Sequence, residues 1–321
     1  MNCFAIWYTP KKVNGLKRID AEVHVNLWKL KEKGKKSFDH FLDMGIMIED
    51  KNNIESINIF IPSKINKSEI EDLGNYFKKH TDLVPTVFNR DYIPLVHQKK
   101  KIIEVLNRDK EHQFNIYRLD VDHDIKIKNI DKGSVIRILV SHDITGGKTY
   151  YRVRIKSKVV ESLSHIEKPA NAILESAFYS TELVDFRINE KRNLDSTLLA
   201  EIHENGEVNF KPIHFFLMRE AYYDYIFSCK KLYRSRDLEE ELWDSYVGEN
   251  YSFGKIIAYQ WKEECSESFN EFVKFRFRIS NSSTIVIYVI FALLIAAIGG
   301  VIGVLLVEVI RAIIQVIIGT S

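Results

Sequence analysis

Residues Thr284–Ser321 read TIVIYVIFALLIAAIGGVIGVLLVEVIRAIIQVIIGTS, and the run from Ile285 to Leu306 contains no charged residue. A bilayer core about 30 Å thick takes roughly 20 apolar residues of helix, so this run is long enough to span. In hydrocarbon a single segment satisfies its backbone hydrogen bonds only as a helix. The alternative, a buried helix of a soluble domain, rarely stays uncharged for so long. The segment therefore reads as a transmembrane helix, and everything before it as a body tethered to a membrane.

The opening MNCFAIWYTPKK has neither the basic n-region, the apolar h-region nor the small-residue cleavage site of a signal peptide. Lys274, Arg276 and Arg278 precede the span, and a Lys/Arg excess marks the cytoplasmic side. The body is thus expected in the cytoplasm and the tail in the inner (cell) membrane, inserted after synthesis. Cys3, Cys229 and Cys265 are scattered, forming neither a disulfide framework nor a CxxC metal-ligand pair.

The tail continues beyond Leu306 through Glu308, Arg311 and Gln315. Three geometries compete: a span ending near Leu306 with an amphipathic remainder, one tilted helix throughout, or a hairpin breaking at Gly299-Gly300. Ala292, Ala296 and Gly300 recur every four residues, and Gly299 with Gly303 forms a GxxxG. Small faces let helices approach closely in lipid. Steps of three and four residues carry this face on to Val304, Glu308, Arg311 and Gln315. Charged groups at membrane depth usually face a bundle interior or a water-filled path. A homo-oligomer with this stripe inside, lining a conduit, is the sharper expectation. An anchor with Glu308 and Arg311 in the far headgroup layer is the plainer one.

The chain has 321 residues, 45% hydrophobic and 28% charged, with a formal net charge of +2. That near-neutral total argues against a protein that coats nucleic acid generally, though local patches still act. No internal repeat or low-complexity stretch is found. The expected class is α+β: a β-rich cytoplasmic region with flanking helices, plus a C-terminal transmembrane helix. Four parts are expected: an α/β or β-rich domain over 1–110, a β-rich sensor or ligand domain with helices over 111–258, a juxtamembrane stalk over 259–283, and the membrane segment over 284–321.

Apolar runs of strand length lie at Cys3–Tyr8, Ala21–Leu30, Phe41–Ile48 and Ile54–Ile61. Ile70, Leu73 and Phe77 are spaced for a helix over Asn66–His80, capped by Asn66 or Ser68. A further helix is expected over Leu95–Arg108. Strands are then expected in FNIYRLDVDH, VIRILVSH and TYYRVRIKSKVV, the last two joined by a turn at DITGGK. Pro169 opens an expected helix, PANAILESAFYSTEL. Strands at Leu198–His203 and Val208–Phe216, and helices at Arg219–Tyr233 and Leu238–Trp243, complete the pattern.

Between Tyr151 and Val160 the residues alternate, placing Arg152, Arg154, Lys156 and Lys158 on one face of a strand. Four cations on one face repel each other, so a polyanion suits them, and Arg137 on the preceding strand can join. Bidentate arginine contacts bind phosphate well. The plain alternative is a solvated face neutralised by nearby acids. Asp120, Asp122, His123 and Asp124 cluster, but Ile125 stands where an EF-hand loop needs glycine; solvated acids at a strand end fit better. Asp185, Arg187, Asn189, Glu190, Lys191 and Arg192 form either an ion-pair network or part of a ligand site, with Arg187 and Arg192 as candidate phosphate contacts. No Walker A, GxGxxG, HExxH, GxSxG or CxxC pattern occurs. No metal, cofactor or enzymatic activity is therefore expected. Cys229 reads as core.

A body without catalytic motifs, joined to the tail IVIYVIFALLIAAIGGVIGVLLVEVIRAIIQ and carrying the basic strand YYRVRIKSK, resembles the transmembrane effectors of bacterial anti-phage defence. These include cyclic-oligonucleotide and Hailong-type systems. The resemblance is one of architecture. It implies a cytoplasmic domain that binds a nucleotide or oligonucleotide signal, made by a partner enzyme, and gates a channel or pore. Two other readings stand beside it: a tail-anchored scaffold or partner subunit without conduction, and a membrane-tethered hydrolase or nuclease using Asp120 and Asp122.

Overall fold

A computed structural model describes residues 3–11, 18–35, 37–49, 51–141, 147–167, 179–278 and 282–319, with the side chains of the last helix described from Val286 to Gln315. The first four apolar runs form β1 (Ala5–Pro10), β2 (Arg18–Glu32), β3 (Phe38–Ile48) and β4 (Ile54–Ile61). Short elements follow: β5 (Ile70–Asp72), α1 (Gly74–Lys79), α2 (Leu83–Phe88), β6 (Ile93–Val96), β7 (Ile102–Leu106) and β8 (His112–Tyr117). Next come β9 (Ile125–Ile130), β10 (Gly133–Leu139), β11 (Lys148–Ile155), α3 (Lys158–Glu161), β12 (Ser164–Glu167) and β13 (Tyr179–Ile188). After these stand α4 (Ser196–Glu204), β14 (Gly206–Glu220), β15 (Tyr223–Ser228), β16 (Arg234–Asp237), α5 (Glu240–Val247), β17 (Tyr251–Ser252), β18 (Ile256–Glu263) and β19 (Phe269–Arg278). The chain ends in α6 (Ser282–Gly319). The α+β class, rich in strand and ending in a helix, is as expected.

Fifteen strands share one sheet. Its main path runs β6-β7-β8-β11-β3-β2-β14-β1-β4-β10-β9, with β5, β16, β17 and β18 joined off that path. A second sheet is ordered β12-β13-β19-β15. It covers one face of the large sheet: Phe186 of β13 stacks on Phe215 of β14 with centroids 4.7 Å apart, and Phe275 of β19 meets Tyr259 of β18 at 5.1 Å. Over the opposite face, α1, α2 and α5 pack Phe77, Leu83, Val84, Trp243 and Tyr246 into a core with Trp28, Phe41 and Tyr150.

Two compact units result. Met1–Ile166 and Glu182–Phe275 make the first; Glu167–Thr181 and Arg276–Ser321 make the second. The structure does not divide near residue 110. Strands from either side interleave, β8 with β11 beside β3 and β10 beside β4, so the large sheet belongs to both sides of residue 110. Nor is there a separate stalk from residue 259, because β18 pairs along β14 from Ile213↔Glu263 to Glu220↔Ile256.

Local propensity lost to pairing in several places. The expected helix Leu95–Arg108 is the hairpin β6–β7, where Ile102, Ile103 and Val105 suit a pleated surface. Arg219–Tyr233 is the end of β14 and then β15. The expected strand Leu198–His203 is α4, because Asp195 caps it by accepting from the Thr197 N–H at 2.9 Å. In Asn66–His80 the Asn66/Glu69 capping box starts only a short 3-10 turn, and the helix begins at Gly74. Residues Tyr179–Ile188 are strand; the rest of the helix expected from Pro169, and most of the DITGGK turn, lie outside the described residues.

The tail forms α6 without a break at Gly299-Gly300, which excludes the hairpin. Its segment Val286–Gln315, 30 residues with mean hydropathy 2.9 and none of it buried, is long and apolar enough to cross a membrane. At about 1.5 Å per residue α6 measures roughly 57 Å, well beyond a hydrocarbon core.

Candidate functional site

Successive residues of a strand point to opposite faces, so cross-strand pairing lines up side chains in rows. One row runs Arg152, Gly45, His24, His214, Lys262 across β11, β3, β2, β14 and β18. The next runs Arg154, Asp43, Asn26, Phe216, Gln260 and on to Arg234 of β16. A third takes Trp28, Met218, Ala258 and Arg236. All face away from the second sheet. Gly45 is required here: a Cβ on it would lie 1.9 Å from the Tyr150 hydroxyl oxygen.

Between these rows and α2 lies a cleft with two lobes. The inner lobe, about 30 Å³, has apolar walls of Val87, Phe216, Met218, Leu238 and Ala258, with Arg234 and Arg236 also at its edge. Asn26, Arg152 and Trp243 also line it, and each buries a polar atom (Oδ1, Nη2 and Nε1) that has no hydrogen-bond partner. The outer lobe, about 280 Å³ and open to solvent, carries Arg90, Lys148, Arg234 and Lys262 beside Phe88, Tyr92, Phe114 and Tyr233. Together the lobes expose six cations, counting Arg152 and Arg236, against the single carboxylate of Glu22.

Not every cation is free to meet a ligand. Lys148 pairs with Glu49 at 2.5 Å and Lys262 with Glu264 at 2.6 Å. Arg152 lies 3.9 Å from the Asp43 carboxylate, but Arg90, Arg234 and Arg236 hydrogen-bond only neutral groups among the described residues. Arg90 donates to the Tyr92 hydroxyl at 3.2 Å, Arg234 to Gln260 Oε1 at 2.5 Å, and Arg236 to Asn89 Oδ1 at 3.1 Å. An anion entering the outer lobe meets their charge without first displacing an acid.

The sheet also gathers Glu22, His24 and His214, whose ligand atoms lie within 4.8 Å of one another, a spacing that can hold a metal ion. The imidazoles stack with centroids 5.0 Å apart, and His24 Nε2 is 3.1 Å from Glu22 Oε1. Arg234 fixes the Gln260 amide, so Gln260 Nε2 donates to His214 Nδ1 at 2.8 Å. The His214 proton then sits on Nε2, facing Glu22 at 3.9 Å. That tautomer presents a donor, not a metal ligand, and the trio works as a hydrogen-bonded floor to the cleft. Burial, with His24 alongside, pushes His214 down to about 3. Burial raises Glu22, but its hydrogen bond with His24 and the charges of His24, His214 and Arg90 together hold it below the ordinary range.

The basic strand of the sequence reading is divided. Arg152 and Arg154 are buried, at 1% and 2% exposure, not on a solvated face. Arg154 donates to both oxygens of Asp43, at 2.7 and 3.2 Å. Arg152 donates to Tyr246 at 2.9 Å and Tyr150 at 2.7 Å, and only its remaining nitrogen belongs to the cleft. The strand ends at Ile155, so Lys156 leaves the row and pairs with Glu71 at 2.9 Å. Lys158 is exposed at the start of α3. Arg137 lies elsewhere, donating to Asn58 at 3.2 Å. Arg187 bonds Asp185 at 2.9 and 2.8 Å, and Arg192 pairs with Glu190, so this stretch is an ion-pair network. Asp120, Asp122 and Asp124 belong to a turn, where Asp120 meets His123 at 2.9 Å and Asp124 meets Lys101 at 2.9 Å. Cys229 is exposed, not core.

On α6, the positions Ala292, Ala296, Gly299, Gly300, Gly303, Glu308, Arg311 and Gln315 are all exposed. At about 100° per residue the small group and the polar group are centred roughly 110° apart around a straight helix. The stripe therefore winds, its spacing longer than 3.6 residues, instead of forming one flat face.

Sequence reasoning missed the cleft, although a signal was present: Glu22, His24 and Asn26 alternate with Val23, Val25 and Leu27 inside an otherwise apolar strand. Comparison with known protein families and with characterised proteins finds no match to this chain.

Proposed function

We propose that this chain is an oligomeric membrane effector of bacterial anti-phage defence, with a cytoplasmic body that binds a nucleotide or oligonucleotide signal and gates a conduit built from α6. The observation that carries it is the cleft: six cations, one carboxylate and a wall of aromatic rings, in a chain that also exposes an apolar helix of spanning length. Phosphates gain charge-assisted hydrogen bonds from arginine, and aromatic faces stack on bases. The ligand acts by binding the open and closed assemblies with different affinity. Glu308, Arg311 and Gln315 line the inner side of the assembled helices, where their polarity meets water.

The test follows membrane potential by dye in cells expressing the full chain. Expression of wild type is expected to change polarisation, and Glu308→Ala with Arg311→Ala to alter that change. Arg90→Glu with Arg234→Glu, which reverses the outer lobe, is expected to uncouple the effect from the signal. Identical polarisation in all strains removes the channel and leaves a membrane-attached scaffold.

A further inference from the structure

Three buried polar atoms in the inner lobe are left without hydrogen bonds: Asn26 Oδ1, Arg152 Nη2 and Trp243 Nε1. Asn26 is 5% exposed, Arg152 1% and Trp243 4%, so bulk water does not serve them freely. A buried polar group left unmade costs about 1–3 kcal/mol, and native proteins leave few. Of thirteen such side-chain atoms among the described residues, these three line one lobe of one cleft, where a ligand can complete the bonding.

Their chemistry describes that ligand. Nη2 and Nε1 are donors and Oδ1 is an acceptor, so the complementary group offers two acceptors and one donor. A phosphate has no donor when fully ionised, and it meets the Asn26 oxygen unfavourably. The apolar walls of Val87, Phe216, Met218, Leu238 and Ala258 also suit a flat, weakly hydrated ring. A nucleobase edge meets both demands: the Watson–Crick edges of cytosine and uracil each carry two acceptors and one donor, and adenine presents the same set across N1, N6 and N7.

Resting on the nucleotide reading above, we infer that the cleft has a direction: the inner lobe reads a nucleobase edge through Asn26, Arg152 and Trp243, while the outer lobe holds the phosphates on Arg90 and Arg234. Asn26 is then a specificity-determining residue. The register supports the division, since Asn26 and Arg234 lie in one cross-strand row, separated by Phe216 and Gln260. A ligand lying along that row passes Phe216 and Gln260 before it reaches Arg234, which lines both lobes. Arg152 is held for its part by Tyr246 and Tyr150, which leave only Nη2 for the ligand.

The experiment measures binding of ATP, CTP and inorganic tripolyphosphate to the full chain in detergent. At least one nucleotide is expected to bind about tenfold or more tightly than tripolyphosphate, since a site built to hydrogen-bond discriminates strongly against a ligand lacking the group. Asn26→Ala, and separately Trp243→Phe, should remove that advantage and leave tripolyphosphate affinity unchanged, which also shows that the variants fold. Arg234→Ala should weaken all three. Equal binding of tripolyphosphate and nucleotides, or nucleotide binding indifferent to Asn26 and Trp243, overturns the base-reading lobe while phosphate binding stands. Failure of every probe to bind wild type overturns the nucleotide reading and this inference with it.

Discussion

The central sheet buries an acid between two cations on each of its faces, and the clusters differ in what covers them. On one face Glu182 receives Lys29 at 3.0 Å and Arg219 at 2.9 Å, with the Ser164 hydroxyl also donating. On the other, Asp43 receives Arg154 at 2.7 Å, Tyr246 at 2.7 Å and Trp28 at 3.0 Å, and lies 3.9 Å from Arg152. Each cluster leaves one arginine Nη2 unbonded, that of Arg219 and that of Arg152. Arg219 is enclosed between two sheets. Arg152 lies beneath short helices that do not close over it, and its loose nitrogen lines a cleft. Similar residues are thus structural where a sheet covers them and available to a ligand where helices leave a gap.

The largest test removes each acid. Glu182→Gln and Asp43→Asn should each lower unfolding free energy by about 3–5 kcal/mol, because a partner's charge stays buried without compensation, measured by denaturant unfolding of the full chain in detergent. Only Asp43→Asn should also weaken binding in the cleft, by loosening Arg152. Equal effects of both on binding would erase the contrast. Burial raises the Glu182 carboxyl, but Arg219 and Lys29 outweigh it and hold the group at about 2. A folded value below the unfolded one stabilises at higher pH. The Glu182 contribution is therefore full above about pH 5 and fades as pH falls towards 2, and Glu182→Gln should flatten that part of the stability profile.

Gly45→Ala comes next. The added methyl must displace the Tyr150 ring, and overpacking of this kind costs about 1–3 kcal/mol. Because Tyr150 bonds both Arg152 and His24, binding should fall as well. Loss of stability with binding intact would separate the tyrosine from the cleft.

A pH difference is smaller. His214 has a folded value of about 3, below an unfolded value near 6.5, so its stabilising contribution is present above about pH 6.5 and lost as pH falls. Asp72 and Glu271, each raised to about 7 by burial, act oppositely and lose stability as pH rises. The total profile mixes these, so the quantity to measure is the difference between wild type and His214→Gln from pH 7 to 4. It should shrink towards low pH. The smallest effect belongs to Lys158→Glu and Arg192→Glu: stability within about 0.5 kcal/mol and unchanged ligand binding, since both residues lie outside the cleft.

The tail and the first four strands were legible because their signals are local: an uncharged apolar run and short apolar segments between turns. The Asp195 cap of α4 was just as local, yet Leu198–His203 reads as strand when its apolar residues are taken without the preceding aspartate. Pairing partners were not legible. Nothing near Ala258 or Gln260 announces β14, and a stretch that looks like a stalk turns out to be two strands. Arg152 and Arg154 alternate like solvent-facing cations because period-two spacing does not say which face is covered. Asp43, the residue that decides it, lies 109 and 111 positions away. The cleft needed the register of five strands, and only its Glu22-x-His24-x-Asn26 alternation was visible in advance.

The most direct measurement is photo-crosslinking of the full chain in detergent with an azido-purine nucleotide, followed by mapping of the labelled peptides. Saturable labelling of the segments bearing Val87, Met218 and Trp243, which line the inner lobe, suppressed by Arg90→Glu with Arg234→Glu, is the expected result. Labelling concentrated on Lys156 and Lys158, or none that unlabelled ATP competes away, would contradict a nucleotide site in this cleft.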